Sequence, residues 1–326
     1  MRIVLCYPVE QRHIDQIQAA APDCEIVNAG QEHIAEQLPT ADIFIGHAKV
    51  PVDWDAVLAA GRVRWIQSSA AGLDHCLVPG VIDSDIVVSS ASGLFAPQVA
   101  EQTMALLMDL LRSQGVFFRS ASRHEFIRRP TDDLRNKRIG IVGLGGNGRR
   151  IARVLRPFDV ASIVATDHFD FDPPAEVDEL MPADRLDDLL SQVAIAILAL
   201  PLNASTRNLM NAQRFETMQA GSYFINVARG QIVDEAALVA ALDSGHIRGA
   251  GLDVTNVEPL PDDSLLWDRE NVIITPHVGA QSRWRVDDTT DLVCENLRRY
   301  LRNEPLFNTV DKQLGFPSPD VVWHGD

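Results

Sequence analysis

No two cysteines in this sequence are spaced as Cys-x-x-Cys, and Cys6, Cys24, Cys76 and Cys294 lie far apart with no compact set of histidines beside them. Zinc clusters need such spacing. No metal is therefore expected, and the four read as reduced, buried thiols of a cytoplasmic protein. Basic residues are also scarce, 29 against 45 acidic, for a formal net charge of −16. A nucleic-acid partner would require a basic face that this balance does not provide. The same charge opposes an anionic substrate at long range, so such a substrate would need arginine placed locally. Long apolar runs are missing too. Met1 to Tyr7 is one short apolar strand, broken by Pro8 and Glu10, too short for a signal peptide or a membrane span. No targeting segment and no membrane association are expected, and neither an internal repeat nor a low-complexity tract is visible.

What is present is 326 residues with an ordinary apolar fraction of 46%, enough chain for about two domains. Short apolar runs alternate with helical patterns at Ile3–Cys6, Ile43–Ile45, Trp65–Gln67 and Ile86–Val88, which reads as one α/β unit. From Pro97 a long helix carries Val99, Thr103, Leu106, Leu107, Leu110 and Leu111 at helical spacing, with a domain boundary near Phe95. A second series of runs follows at Ile139–Val142, Ser162–Ala165, Val193–Leu200, Tyr223–Val227, Ala250–Leu252 and Val272–Ile274. Their continuous apolar character predicts a parallel sheet covered by helices on both faces. A last helix, Val286–Leu301, leads into a proline-containing tail.

Gly143, Gly145 and Gly148 form a Gly-x-Gly-x-x-Gly turn directly after the first run of that second series, and Asp167 closes the next run, 19 residues beyond Gly148. The first glycine permits the tight turn, the second lets backbone approach a pyrophosphate, and the third lets a helix starting near Arg149 pack on its strand. The helix N-terminus then favours the phosphates. The Asp167 carboxylate suits ribose hydroxyls and repels a 2′-phosphate. Its neighbour His168 is not an arginine, so NAD(H) is expected rather than NADP(H).

The unusual polar residues fall at the carboxyl ends of the runs: the glycine turn, Asp167, then Pro201, Ala228 with Arg229, Asp253 and His277. In an open α/β sheet those ends converge on one crevice. Arg229 beside Gly230 suits a carboxylate, which guanidinium grips through two parallel hydrogen bonds. His277, after Thr275-Pro276, suits proton transfer, because an ordinary imidazole titrates near ~6.5. Glu258 alone is an unremarkable acidic loop residue.

Four segments, Gly143-Leu-Gly-Gly-Asn-Gly148, Asn226-Val-Ala-Arg-Gly-Gln-Ile-Val-Asp234, Gly251-Leu-Asp-Val-Thr-Asn-Val-Glu-Pro259 and Thr275-Pro-His-Val-Gly-Ala280, resemble the D-isomer-specific 2-hydroxyacid dehydrogenase family in spacing and order. With Ser69-Ala-Ala-Gly-Leu-Asp74 the resemblance covers nearly the whole chain. It implies an α/β protein of two doubly wound parallel-sheet, Rossmann-like domains. One is discontinuous and flavodoxin-like, residues 1–95 with 286–326, and binds substrate; the other, residues 96–285, is inserted and binds NAD. Carried onto matching positions, His277 is the acid/base, Glu258 its orienting acid and Arg229 the substrate-binding arginine. Ala71 and Gly72 would offer backbone N–H groups to the substrate carboxylate. Gly146 and Asn147 join the phosphate turn, Leu200 and Pro201 lie beneath the adenosine, and Val227 and Ala228 lie near nicotinamide. Asp253 would accept from the carboxamide, and Gly279 and Ala280 would complete the pocket behind His277.

The implied activity interconverts a 2-oxo acid and a D-2-hydroxy acid by hydride transfer, with a glyoxylate/hydroxypyruvate-type reductase as one subtype. A homodimer through the helix from Pro97 to Arg112 and the stretch Val116–Phe118 is implied as well. Two departures stand out: Asn147 replaces the family's usual Ile or Val, and the Thr or similar polar group often found near Leu200 is missing. A dinucleotide-sensing or corepressor-like binding protein could use the same fold, and a methyltransferase could use a glycine turn followed by an acid. Neither needs Arg229, Glu258 and His277 at three strand ends. Phe95, Arg283 and Trp284 are candidates for the pocket around the substrate's side chain.

Overall fold

Branched apolar side chains on short runs, each followed by an amphipathic helix, favour parallel strands buried on both faces. The structure, a computed structural model, describes residues 1–318 and 322–323. The chain divides into two units, Met1–Phe95 with Ser282–Asp326, and Ala96–Gln281. The return to the first unit falls at Ser282, ahead of the expected residue 286. Near this return, the Arg285 guanidinium lies over the Phe95 ring, 4.7 Å from the centroid, and ties the start of the return helix Arg285–Leu301 to the first unit. Residues 319–321 and 324–326 of the expected segment 286–326 lie outside the described ones.

In the first unit the strands β1 (Arg2–Cys6), β2 (Glu25–Asn28), β3 (Ile43–Gly46), β4 (Trp65–Ser68) and β5 (Val87–Ser89) form a parallel sheet of order β2-β1-β3-β4-β5. Ile3, Leu5, Ile45 and Trp65 pack on one face and Val4, Phe44, Ile66 and Val88 on the other, as alternation along a strand dictates. A buried polar chain docks the return helix: Asn296 Nδ2 donates to Gln67 Oε1 at 2.8 Å, which also accepts from Ser89 Oγ at 2.7 Å. Trp65 Nε1 donates to that hydroxyl at 2.8 Å.

In the second unit the strands β6 (Arg138–Val142), β7 (Ser162–Asp167), β8 (Glu179–Pro182), β9 (Ile195–Leu198), β10 (Ser222–Asn226), β11 (Ile247–Leu252) and β12 (Val272–Ile274) form a parallel sheet of order β12-β11-β10-β9-β6-β7-β8. Ile139, Ile163, Ile195 and Ile225 build the core on one face, and Val164, Leu198, Phe224 and Leu252 that on the other. The strand order reverses between β6 and β9, which creates a switch point where ligands bind in such sheets. The long helix runs Ala96–Leu111, with Pro97 in its first turn, where a missing N–H costs nothing.

Each sheet has one strand more than its apolar runs predict. Both extra strands, β2 and β8, are edge strands with mixed exposure. An edge strand half open to water carries no apolar run. The helix after the glycine turn also starts at Gly146, not near Arg149, because the turn's last glycines already adopt its first turn. Among the described residues no helix is long and apolar enough to cross a membrane.

Candidate active site

Every parallel strand of the second unit delivers its chain to the same edge of the sheet, and the sequence-predicted residues sit there in loops tied to one another. Gly143 follows β6 with φ +95°, and a Cβ on it would lie 2.9 Å from the Leu200 Cα after β9. Only glycine suits that turn. A Cβ on Gly148 would fall 2.1 Å from the Gly143 carbonyl oxygen, so the third glycine allows the helix Gly146–Leu155 to close on its strand. Gly145 has nothing within 4 Å of where its Cβ would stand. Open space there, beside the unpaired N–H groups of a helix start, forms a cradle that fits a pyrophosphate. Gly146 and Asn147 are the first two residues of that helix.

Asp167, the last residue of β7, holds this turn. Its Oδ2 accepts from the Leu144 N–H at 2.6 Å and its Oδ1 from the Phe169 N–H at 3.0 Å. Arg149 Nε donates to the Leu144 carbonyl at 3.0 Å, and its guanidinium lies over the Phe171 ring at 4.3 Å. After β9, Pro201 accepts from Thr206 Oγ1 at 2.8 Å, so a threonine in the following loop fixes the backbone beyond Leu200.

After β10 the buried Asn226 shapes the loop Val227-Ala228-Arg229. Its Oδ1 accepts from the Ala228 N–H at 3.0 Å and its Nδ2 donates to the Arg229 carbonyl at 3.0 Å. Arg229 Nη1 donates to the Ala228 carbonyl at 2.6 Å. The next residue is jammed against the neighbouring loop, because a Cβ on Gly230 would lie 1.9 Å from the carbonyl of Thr255. Thr255 in turn donates its N–H to Glu258 Oε1 at 3.2 Å, and Glu258 Oε2 takes His277 Nδ1 at 2.8 Å. One continuous set of contacts therefore runs from the arginine loop through the carboxylate to the imidazole.

A carboxylate can only accept, so Nδ1 carries the hydrogen and Nε2 remains the ring atom available for proton exchange. The two side chains are 43% and 38% exposed. A pair that open contributes about 1 kcal/mol or less to stability, so its consequence is orientation of the ring. His277 itself has φ +54°, a left-handed conformation that a non-glycine residue adopts only when its surroundings hold it. Asp253, 3% exposed at the end of β11, supplies the hold. Its carbonyl accepts from the His277 N–H at 2.8 Å. Its Oδ1 accepts from Thr275 Oγ1 at 2.7 Å and the Val278 N–H at 3.0 Å, and its Oδ2 from the Gly279 N–H at 2.8 Å. Ala280 follows within the same loop.

In the first unit, Ala71 and Gly72 lie in the loop after β4. Ser68 Oγ accepts from the Ala70 N–H at 3.0 Å, and the Ala91 N–H donates to the Ala70 carbonyl at 3.0 Å, fixing the loop's base. His75 stacks on His47 with ring centroids 4.0 Å apart, and its Nε2 lies 3.5 Å from Ser68 Oγ. Burial, the neighbouring His47 second, lowers the pKa of His75 to about 3, so its ring is neutral. Phe95 is buried, and Arg283 lies over the Trp284 ring at 4.6 Å. Nothing in the sequence marks Asn226 and Thr275 as the residues that shape these loops, although each is polar and lies at a strand end. Gln102, which donates to Thr275 Oγ1 at 2.8 Å, gave no signal.

The model of the D-isomer specific 2-hydroxyacid dehydrogenase NAD-binding domain matches residues 104–279, more than half of the chain. The chain belongs to the D-isomer-specific 2-hydroxyacid dehydrogenases. Within this dehydrogenase family it is 31% identical to the glyoxylate reductase of Thermofilum pendens over 87% of this chain and 85% of that one. It is 30% identical to the D-3-phosphoglycerate dehydrogenase of Methanocaldococcus jannaschii over 86% of this chain, and spans 54% of that relative's length. The solved D-isomer specific 2-hydroxyacid dehydrogenase of Xanthobacter autotrophicus, in complex with NADPH and MES, superposes with a TM-score of 0.82 at 29% identity, covering 97% of this chain and 99% of that one. The protein is thus an oxidoreductase of 2-hydroxyacid dehydrogenase type with a nicotinamide dinucleotide-binding domain.

Proposed function

We propose that the protein is an NAD(H)-dependent reductase converting a small 2-oxo acid of the glyoxylate or hydroxypyruvate type into the hydroxy acid, the D enantiomer where the product is chiral. The 2.8 Å contact of His277 Nδ1 with Glu258 carries this reading, because it leaves Nε2 to exchange a proton. When bound, the nicotinamide supplies or accepts the hydride. His277, protonated, gives its Nε2 proton to the carbonyl oxygen as negative charge develops there. Glu258 holds the ring by accepting at Nδ1. Arg229 pairs with the substrate's carboxylate and polarises its carbonyl. In the oxidation direction neutral His277 takes the hydroxyl proton instead.

The cradle at Gly143, Gly145, Gly146, Asn147 and Gly148 is proposed to hold the pyrophosphate, with Leu200 and Pro201 under the adenosine and Val227, Ala228, Gly279 and Ala280 around the nicotinamide. Asp253 Oδ2 accepts one internal N–H and keeps capacity for the carboxamide. Preference for NAD(H) rests on Asp167, followed by Asp170 and Asp172, whose charges repel a 2′-phosphate. Each oxygen of Asp167 takes one backbone N–H, which leaves each able to accept a ribose hydroxyl. The first unit is proposed as the substrate-binding domain, with Ala71 and Gly72 donating to a carboxylate. A cytoplasmic homodimer completes the proposal. Phe118 is 65% exposed on the helix Gln114–Ser122, an apolar side chain that a second copy would cover.

The deciding experiment follows NADH oxidation with glyoxylate, hydroxypyruvate, pyruvate and longer 2-oxo acids, with chiral analysis of the products. Turnover to D products is expected. Tight NADH binding with no turnover of any 2-oxo acid would replace the reductase by a dinucleotide-sensing protein.

A further inference from the structure

We infer that Gln102, on the helix Ala96–Leu111, is a positioning residue for His277, acting through Thr275 and the buried carboxylate of Asp253. The inference rests on the proposed role of His277 as acid/base.

His277 holds a left-handed backbone that costs a non-glycine residue about 1–2 kcal/mol, and the loop's hydrogen bonds must outweigh that cost. Four of them end on Asp253, three on its carboxylate and one, from the His277 N–H, on its carbonyl. Its carboxylate fixes residues 278 and 279, immediately after the imidazole, and the hydroxyl of Thr275, two residues before it. A carboxylate with 3% exposure needs hydrogen-bond donors in place of the water it has lost. The donors here, among the described residues, are neutral: the Thr275 hydroxyl, two backbone N–H groups and the Gln102 amide, whose Nε2 lies 3.5 Å from Oδ1.

Thr275 has one proton and spends it on Asp253 at 2.7 Å. In the 2.8 Å contact with Gln102 Nε2 the threonine oxygen must therefore accept. Gln102 thus orients the threonine so that its hydroxyl points at the carboxylate. Its stem also walls the loop, since a Cβ on Gly279 would lie 2.7 Å from Asp253 Oδ2 and 3.6 Å from Gln102 Cγ.

Gln102→Met keeps the shape and deletes the amide. Gln102→Glu replaces the donor by a group that donates only while protonated, beside a carboxylate that repels its ionised form. For Gln102→Met, kcat should fall about tenfold or more, the KM for NADH should move far less, and the ¹⁵N shifts of the His277 ring should change. Those shifts are assigned by the signal missing from His277→Ala. Gln102→Glu should approach wild-type kcat in acid and lose it as pH rises, a profile that a purely structural defect would not produce. Wild-type kcat and unchanged His277 ring shifts in both variants would overturn the inference. An active His277→Ala would instead refute the acid/base assignment, and the ring shifts would still decide whether Gln102 positions the imidazole.

Discussion

The carboxylate of Asp167 accepts the N–H of Leu144 at 2.6 Å, so the end of β7 is fastened to the glycine turn after β6. The residue proposed to choose the cofactor is therefore also part of the turn proposed to hold it. Deleting this side chain mixes two effects, charge and turn geometry, and a test of specificity has to separate them.

Asp167→Asn comes nearest to separating them, because its amide oxygen can still accept from Leu144 while the negative charge is gone, and only the acceptor facing the Phe169 N–H is lost. Discrimination against NADPH, measured as the ratio of kcat/KM for the two cofactors, should erode by about tenfold or more, the equivalent of about 1.4 kcal/mol. Asp167→Ala should lose that discrimination and also raise the KM for NADH. A wild-type enzyme that already prefers NADPH would refute the electrostatic reading of Asp167.

His277→Ala should abolish reduction and leave NADH affinity, followed by protein-to-cofactor energy transfer, close to wild type. Glu258→Gln should lower kcat by about tenfold to a hundredfold, the lower range expected for general acid–base catalysis, since the ring keeps a neighbour but not a carboxylate. Loss of NADH binding in His277→Ala would remove its assignment as proton donor.

These positions were legible because catalytic groups in parallel sheets gather where strands end, and the strands of the second unit were visible as apolar runs. Asp167, Arg229, Asp253 and His277 all proved to sit at such ends. What the residues could not reveal was how one loop leans on another. Gly230 stands beside Arg229 in the sequence, but what requires glycine there is the close carbonyl of Thr255 on the neighbouring loop. Asp253 reads as a cofactor contact, and in the fold its carboxylate also binds the loop of His277 through both oxygens. β2 and β8 were invisible because edge strands with one wet side lack the apolar continuity of inner ones. The family resemblance supplied Glu258, which no pattern in its own segment singled out.

Arg229→Lys should raise the KM for the 2-oxo acid strongly, with a smaller effect on NADH. A lysine ammonium carries the charge but cannot form two parallel hydrogen bonds to a carboxylate. Loss of a charged hydrogen bond of this kind costs about 1.5–3 kcal/mol, so kcat/KM should drop by roughly tenfold to a hundredfold. Unchanged kinetics would show that the clamp lies elsewhere.

Gly230→Ala should damage both folding and chemistry. The added Cβ would meet the backbone of Thr255 at 1.9 Å, and backbone cannot turn aside as a side chain can. Overpacking of this kind costs about 1–3 kcal/mol or more, read as a lowered Tm. Because Thr255 donates to Glu258, kcat should fall in the same variant even at temperatures where it is fully folded. A folded variant with wild-type kcat would disconnect the arginine loop from the Glu258–His277 pair.

His75 gives the first unit an acid sensitivity of its own. Burial holds its pKa at about 3 in the folded protein, against an ordinary value near ~6.5 when unfolded. Between those values the unfolded chain binds the extra proton, so this group's contribution to stability is complete above ~6.5 and is lost as pH falls toward 3. The loss can reach about 1.4 kcal/mol per pH unit within that window. Denaturant melts of wild type and His75→Gln at pH 7 and pH 5 would show it as the difference between their slopes. His75→Gln should lose less stability than wild type over that interval, because an amide takes up no proton. Equal losses would mean that the His47–His75 stack opens to water before the unit unfolds.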